Sequence, residues 1–346
     1  MSTLRLEPIT DLDAARDEWR AVADHAGNPF ATWEWVSAWW RHFGAGRTLR
    51  AVACRRPDGA LAAILPLCLQ RVGPVRLLRF IGHGPADELG PVCAREDREV
   101  AAAALRAVLA RGGFDVFLAE RLPADAPPLP RGVALRHEHS PVLRIGGKTW
   151  QEFLAQRSAN FRHQVGGRER SLARAHGVGW RVTSSADELD ADMATFLALH
   201  AARWDGTSRA FTPPRTAFHR DFAALALERG WLRLVILELD GRPAAAWYGL
   251  RFADADWCYQ CGRDPAFERA RVGFVMFTWT IRAAFEDGMH EYRFLRGGEA
   301  YKSRFADSDC PVETFALARG PVGRAVLRAG SQKAVASAAA RFVATV

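Results

Sequence analysis

Glu299-Ala300-Tyr301-Lys302 places a carboxylate, a phenol and a primary amine in one short segment. Lysine is scarce here: of the 47 lysines and arginines, only Lys148, Lys302 and Lys333 are lysine. An ammonium carries three N–H donors and a concentrated charge, so Lys302 suits a site where negative charge develops on oxygen. The alternative is a surface lysine in an ordinary ion pair. Glu299, two residues from Tyr301, has the chemistry of a general base, or it fixes its loop by bonding backbone amides or Arg296. His200 is a competing base. On a helix it lies one turn before Trp204, so both can face one cleft. A histidine on an apolar face is, however, more often a satisfied core residue. Arginine reads carboxylate or phosphate and tryptophan stacks, which makes Arg203 and Trp204 candidates for a ligand site.

Anion chemistry points to Glu268-Arg269-Ala270-Arg271-Val272-Gly273-Phe274, where two arginines and a glycine precede a helix. Backbone N–H groups at a helix N-terminus favour phosphate. A solvated basic loop is the competing reading. Cys258 and Cys261 form a lone CxxC. If Trp257–Gly262 is a strand, side chains three apart point to opposite faces, and no second cysteine pair completes a zinc site. His137 and His139 share a strand face without a partner cluster, so no metal is expected. Arg162, Arg168, Arg170 and Arg174 form a basic helix face, either solvated or facing tRNA.

These groups must be positioned by a chain of 346 residues with net charge +8, 49% hydrophobic and 25% charged residues. Such values describe a globular protein of two ordinary domains, not a disordered, collagenous or coiled-coil chain. No run approaches the roughly 18 apolar residues of a membrane span, and the first residues lack an apolar leader core. A cytoplasmic protein with reduced thiols is expected. The basic charge permits a polyanionic partner without naming one.

One order of elements occurs twice. Asp58-Gly59 and Asp240-Gly241 each sit between strand-like runs, a hairpin signal. The hairpins are Thr48–Arg55 with Ala60–Val72, and Trp231–Leu239 with Pro243–Phe252. Each is followed by a strand (Val75–Ile81; Trp257–Gly262), a helix (Arg95–Arg111; Gly273–Asp287) and a short apolar strand (Phe114–Ala119; Glu291–Leu295). The copies should meet near Leu143–Thr149, after a loop marked by Pro123, Pro127, Pro128 and Pro130. Between them lie helical segments: Trp150–His176, with a weak point at Gly166-Gly167; Leu189–Trp204; and Thr216–Arg229. Thr32 is a reasonable N-cap for a helix with Trp35, Trp39 and Phe43 on its buried stripe.

Leu295-Arg296-Gly297-Gly298-Glu299-Ala300-Tyr301-Lys302 resembles the G-x-E-x-Y-K segment of the CelD/BcsL-type acyltransferases of the GNAT superfamily. Phe30-Ala31-Thr32-Trp33-Glu34-Trp35, Leu199-His200-Ala201-Ala202-Arg203-Trp204, Asp240–Ala245 and Tyr259-Gln260-Cys261-Gly262 agree, so the resemblance runs from about Phe30 to Phe315. Two features depart from it. Arg293 stands where the family carries an acid, and the loop before Gly273 lacks the R/Q-x-x-G-x-G/A spacing. The resemblance implies an α+β fold of two tandem GNAT-like domains, each a mixed, mostly antiparallel sheet flanked by helices. The expected domains are 1–145, 146–320 with the helical insertion and the chemistry, and a basic helical tail at 321–346.

It also implies an acyl-CoA co-substrate, acetyl-CoA first, and an acceptor amine or hydroxyl on a small molecule or a glycan precursor of the cell envelope. Lys302, Tyr301, Glu299 and His200 would be catalytic, with Lys302 at the acyl carbonyl and Tyr301 at the leaving sulfur or beneath the acyl chain. Cys261, Gly262, Arg263, Arg269, Arg271 and Gly273 would hold the cofactor. Arg203, Trp204, Tyr259 and Gln260 would meet the acceptor, in a cleft between the halves. The related Fem-type enzymes, which use aminoacyl-tRNA, and a non-catalytic scaffold are the alternatives.

Overall fold

The computed structural model describes residues 4–124, 126 and 132–329. The chain separates into two units. One holds the residues up to His139 and those from Cys310 onward, and the other holds Ser140–Asp309.

The first unit begins with β1 (Arg5–Pro8), α1 (Arg16–Ala26) and α2 (Trp33–Phe43). Thr32 caps α2 by accepting from the Trp35 amide, and Trp35, Trp39 and Phe43 are buried, as the spacing implied. The expected hairpin forms in two pieces: β2 (Arg47–Leu49) and β3 (Val52–Arg55) against β4 (Leu61–Leu65) and β5 (Leu67–Val72). The break falls at Pro66, which has no N–H for the ladder. One sheet therefore has the order β1-β3-β4-β7, with β7 at Val92–Cys93. From β6 (Val75–Phe80) the chain crosses α3 (Arg98–Arg111) to β8 (Val116–Pro123), parallel to β6, and then reaches β9 (Val133–Glu138). Pro127, Pro128 and Pro130 of the expected loop lie outside the described residues.

The second unit opens with β10 (Pro141–Arg144), α4 (Trp150–Ala155) and α5 (Ala159–Ala175). The helical stretch breaks before Ser158 rather than at Gly166-Gly167. Ser158 caps α5 by accepting from the Phe161 amide, and buried Phe161, Val165 and Leu172 hold the helix straight through both glycines. β11 (Val178–Val182), α6 (Ala186–Arg203) and α7 (Pro213–Glu228) follow. Then come β12 (Leu232–Leu239), β13 (Arg242–Phe252), β14 (Ala255–Arg263), α8 (Val272–Glu286), β15 (Glu291–Arg293) and β16 (Ser308–Asp309). β14 and β15 are parallel across α8, as β6 and β8 are across α3. The α+β class is as read from the sequence, and the order hairpin, strand, helix, parallel strand occurs in both units.

The sheet orders show how each unit is completed. They run β11-β12-β13-β14-β15-β10-β16 in the second unit, and β2-β5-β6-β8-β17-β9 in the first, where β17 is Val312–Ala318. In each sheet a strand from far along the chain enters between the parallel strand and the edge, antiparallel to both. The divisions thus fall at 139/140 and 309/310, not at 145/146 and 320/321. The physical cause is hydrogen bonding: β10 completes the second sheet and β17 completes the first. α9 (Gly320–Ala329) follows β17, and the rest of the expected tail lies outside the described residues. Among those described, no helix is long and apolar enough to cross a membrane.

Candidate active site

β14 starts beside β15 and then leaves it. The parallel pairing covers only Ala255–Trp257 against Glu291–Arg293, while β14 continues to Arg263. On its other side β14 follows β13, but with a register shift: Tyr248 pairs Gln260, and Gly249 pairs Cys258. Tyr259 is the extra residue of a β-bulge, which bends the strand. Gly262 has a steric reason to be glycine, since a Cβ there would lie 2.5 Å from the His200 amide nitrogen. α6 packs its backbone directly on this part of β14.

The parting opens a cavity of about 190 Å³ at the N-terminus of α8. Its wall includes Cys261, Gly262 and Arg263 from β14, and Arg271, Gly273, Phe274 and Phe277 at the start of α8. Arg168 from α5, Arg203 at the end of α6, and Tyr301, Arg304 and Phe305 complete it. One lining carboxylate, Glu268, pairs with Arg263 at 2.9 Å and with Arg271 at 3.7 Å. The guanidinium of Arg168 lies 4.5 Å from the Phe274 ring centre, and that of Arg304 lies 5.0 Å from it. Neither makes an ion pair among the described residues; Arg304 donates to the Gln164 side-chain Oε1 at 2.6 Å. Burial, and then repulsion from Arg304 and Arg271, lowers the Arg168 pKa. The cavity is strongly electropositive and faces helix-terminal amides.

Tyr301 packs 4.9 Å from Phe277, centre to centre. Burial, followed by the nearby Cys261 and Cys258 thiols, pushes its phenol well above the usual range, so it stays protonated at neutral pH. Lys302 does not line the cavity. It is 4% exposed, and its ammonium donates to the carbonyls of Leu295 at 3.3 Å and Arg296 at 2.6 Å and pairs with Glu299 at 3.0 Å. All three donors that the sequence assigned to an acyl carbonyl are occupied by the chain. Glu299 is engaged in the same clamp and packs over Gly297, whose φ of +115° admits glycine.

Five of the six expected cofactor residues line the cavity: Cys261, Gly262, Arg263, Arg271 and Gly273. Arg269 is exposed outside it. Of the expected acceptor residues only Arg203 does, and it also donates to the Cys261 carbonyl at 3.1 Å. Trp204 is exposed. Gln260 lies beside His200, and Tyr259 turns toward α7, where its hydroxyl lies 3.3 Å from His219 Nε2. His219 Nδ1 lies 3.4 Å from the Tyr248 hydroxyl. Burial lowers His200 to about 4 and His219 to about 3, so both are neutral at pH 7. The sequence singled out neither Arg304 nor His219, named Phe274 only as the end of the anion segment, and gave Arg168 only a place on a basic helix face.

In the first unit the corresponding parting, between β6 and β8, is bridged by the chain itself. The pairing of these strands covers only Leu77–Arg79 and Val116–Leu118. Beyond it the Leu89 amide donates to the Arg121 carbonyl at 3.0 Å, and the Arg121 side chain donates to the Gly84 carbonyl at 2.8 Å.

A strand bulged and parted from its parallel neighbour, ending at a helix N-terminus, lies inside the stretch that matches a known family. Residues 159–303 match the model of the acetyltransferase (GNAT) domain. The matched stretch lies within the second unit and spans less than half of the chain. Solved structures share the fold over most of the chain. FemX is similar with a TM-score of 0.63 at 12% identity, over 93% of this chain and 99% of that one. A conserved protein of unknown function from Bacteroides thetaiotaomicron VPI-5482 is similar with a TM-score of 0.58 at 11% identity, over 91% and 100%. L-PGS from Bacillus licheniformis is similar with a TM-score of 0.52 at 11% identity, over 88% and 96%. No curated protein matches by sequence.

Proposed function

We propose that the chain is an acyltransferase that binds acyl-CoA in the cavity of the second unit and transfers the acyl group to an amine or hydroxyl. The carrying observation is the cavity at the β14–β15 parting, where Arg168, Arg271 and Arg304 converge on the α8 N-terminus. Backbone amides and guanidiniums suit phosphates, and the apolar wall of Phe274, Phe277 and Phe305 suits a pantetheine arm and acyl chain. The bridged parting of the first unit supports donor binding in the second.

Acceptor nitrogen or oxygen attacks the thioester carbonyl. The new C–N or C–O bond forms and the C–S bond breaks. The protonated Tyr301 hydroxyl gives its proton to the departing sulfur and regains one from solvent, which takes the acceptor's proton. Lys302 acts as a positioning residue, holding the turn that carries Tyr301. Arg203 is the candidate acceptor contact, because it lines the cavity and Tyr259, Gln260 and His200 do not. Acetyl is the first acyl group to try. The CelD/BcsL-like motif favours a glycan precursor or small molecule of envelope assembly as acceptor, in the cytoplasm.

The fold shared with FemX over nearly the whole chain supports a second reading, an aminoacyl-tRNA donor. Thermal stabilisation of the full chain by CoA, acetyl-CoA and charged tRNA separates the two. Stabilisation by CoA and its acyl esters is expected. Stabilisation by charged tRNA alone reverses the assignment, and no response to any of them leaves a scaffold.

A further inference from the structure

Cysteines three apart on a regular strand face opposite ways, which counts against a shared role for Cys258 and Cys261. The structure overturns that reading. The bulge at Tyr259 adds one residue between them and re-phases the strand, so both thiols lie on one face. Their sulfurs are 3.7 Å apart, within the buried core of the second unit. Cys258 is 5% exposed and Cys261 8%, but Cys261 also forms part of the cavity wall. A small solute entering the cavity therefore meets one thiol with a second directly behind it.

We propose that Cys258 and Cys261 are a redox-modification site, which a hydroperoxide entering through the cavity converts to a disulfide. The Cys261 thiolate attacks a peroxide oxygen and the O–O bond breaks. Water or an alcohol leaves, and a sulfenic acid remains. The Cys258 thiol attacks the sulfenic sulfur, the S–O bond breaks, water leaves and the S–S bond forms. The dithiol loses two electrons and the hydroperoxide gains them. The order of attack follows from the surroundings. Burial raises the Cys261 pKa, but the Cys258 hydrogen bond and the charges of Arg203 and Lys302 outweigh it, so Cys261 ends below its ordinary value. Cys258 is raised by burial and by Cys261. Cys54, Cys68 and Cys93 are buried and raised as well, mainly by burial. This inference stands apart from the acyltransferase reading, since it concerns thiol chemistry alone.

Trypsin should release both cysteines in one peptide, Phe252–Arg263, because Arg251 and Arg263 flank them. The full chain is exposed to graded hydrogen peroxide, alkylated under denaturing conditions, digested and weighed. The expected result is a peptide lacking both alkyl groups and lighter than the reduced form by two hydrogens. It should appear before Cys54, Cys68 or Cys93 loses alkylation, and dithiothreitol should reverse it. With dimedone present, C258S should trap the sulfenic acid on Cys261, and C261S should trap none on Cys258. Retention of both alkyl groups while the other buried cysteines oxidise overturns the proposal. So does irreversible oxidation of Cys261 with Cys258 still alkylated. The native peptide decides the matter even if a variant fails to fold.

Discussion

Replacing Lys302 by methionine tests whether its ammonium is a clamp or a catalytic donor. Methionine keeps an unbranched chain of similar length and removes the charge. The ammonium makes two hydrogen bonds to carbonyls, of Leu295 and Arg296, and one ion pair with Glu299, whose side chain is 48% exposed. Hydrogen bonds to charged groups contribute about 1.5–3 kcal/mol each, and a half-exposed pair contributes about 0–1 kcal/mol. Removing a buried charge recovers part of its desolvation cost. The net expectation is a destabilisation of roughly 2–4 kcal/mol, confined to the second unit. It should be local, because Leu295 is held at a φ of +57° and Gly297 at +115° in the clamped turn. The assay is thermal unfolding combined with amide hydrogen exchange over residues 295–305. K302M should melt earlier and exchange faster there. Unchanged melting and exchange would refute the clamp. If in addition kcat fell about 10²–10³-fold at constant KM, the amine would be an oxyanion donor after all.

Three further outcomes are expected. Y301F removes the phenol's hydroxyl proton without changing its packing, so kcat should fall about 10²-fold or more with donor KM nearly unchanged, measured by release of free CoA thiol. R168A and R304A should each raise the KM for acyl-CoA about 10-fold and flatten its salt dependence, with kcat retained, in the same assay run from low to high ionic strength. His200 and His219 are depressed to about 4 and about 3 in the fold, against an ordinary value of 6.5. The unfolded chain therefore binds more protons below pH 6.5, and stability falls as pH drops from 6.5 toward 4. The slope approaches about 1.4 kcal/mol per unit for each histidine. Denaturant midpoints across this range should show the loss, and H219Q should reduce the slope.

Local patterns made much of the fold legible. Apolar alternation around Asp58-Gly59 and Asp240-Gly241, and the glycine stops after the two crossover helices, suffice to find both hairpins and both parallel strands, because these signals act between neighbours in the chain. The cap at Thr32 and the buried Trp35, Trp39 and Phe43 stripe were readable for the same reason. The loop ahead of α8 was readable as an anion-site candidate beside a solvated basic loop, since two arginines, a glycine and a helix start lie within six residues; Arg271 and Gly273 line the cavity and Arg269 does not.

What required the tertiary structure was anything set by pairing across the chain. No local pattern says that β10 belongs with β15, or β17 with β8, because the bonds join residues more than a hundred positions apart. The register shift at Tyr248/Gly249 depends on how β13 meets β14, and it alone turns Cys258 and Cys261 to the same side. Arg168 of α5 and Arg304 of the turn after Lys302 meet only over Phe274, at the start of α8. Lys302 was conspicuous by its rarity, yet where its ammonium points is fixed by the strained turn at Leu295–Gly297 that folds back around it. Residue type told which chemistry was available; three-dimensional pairing decided which groups are spent on holding the chain and which face the cavity.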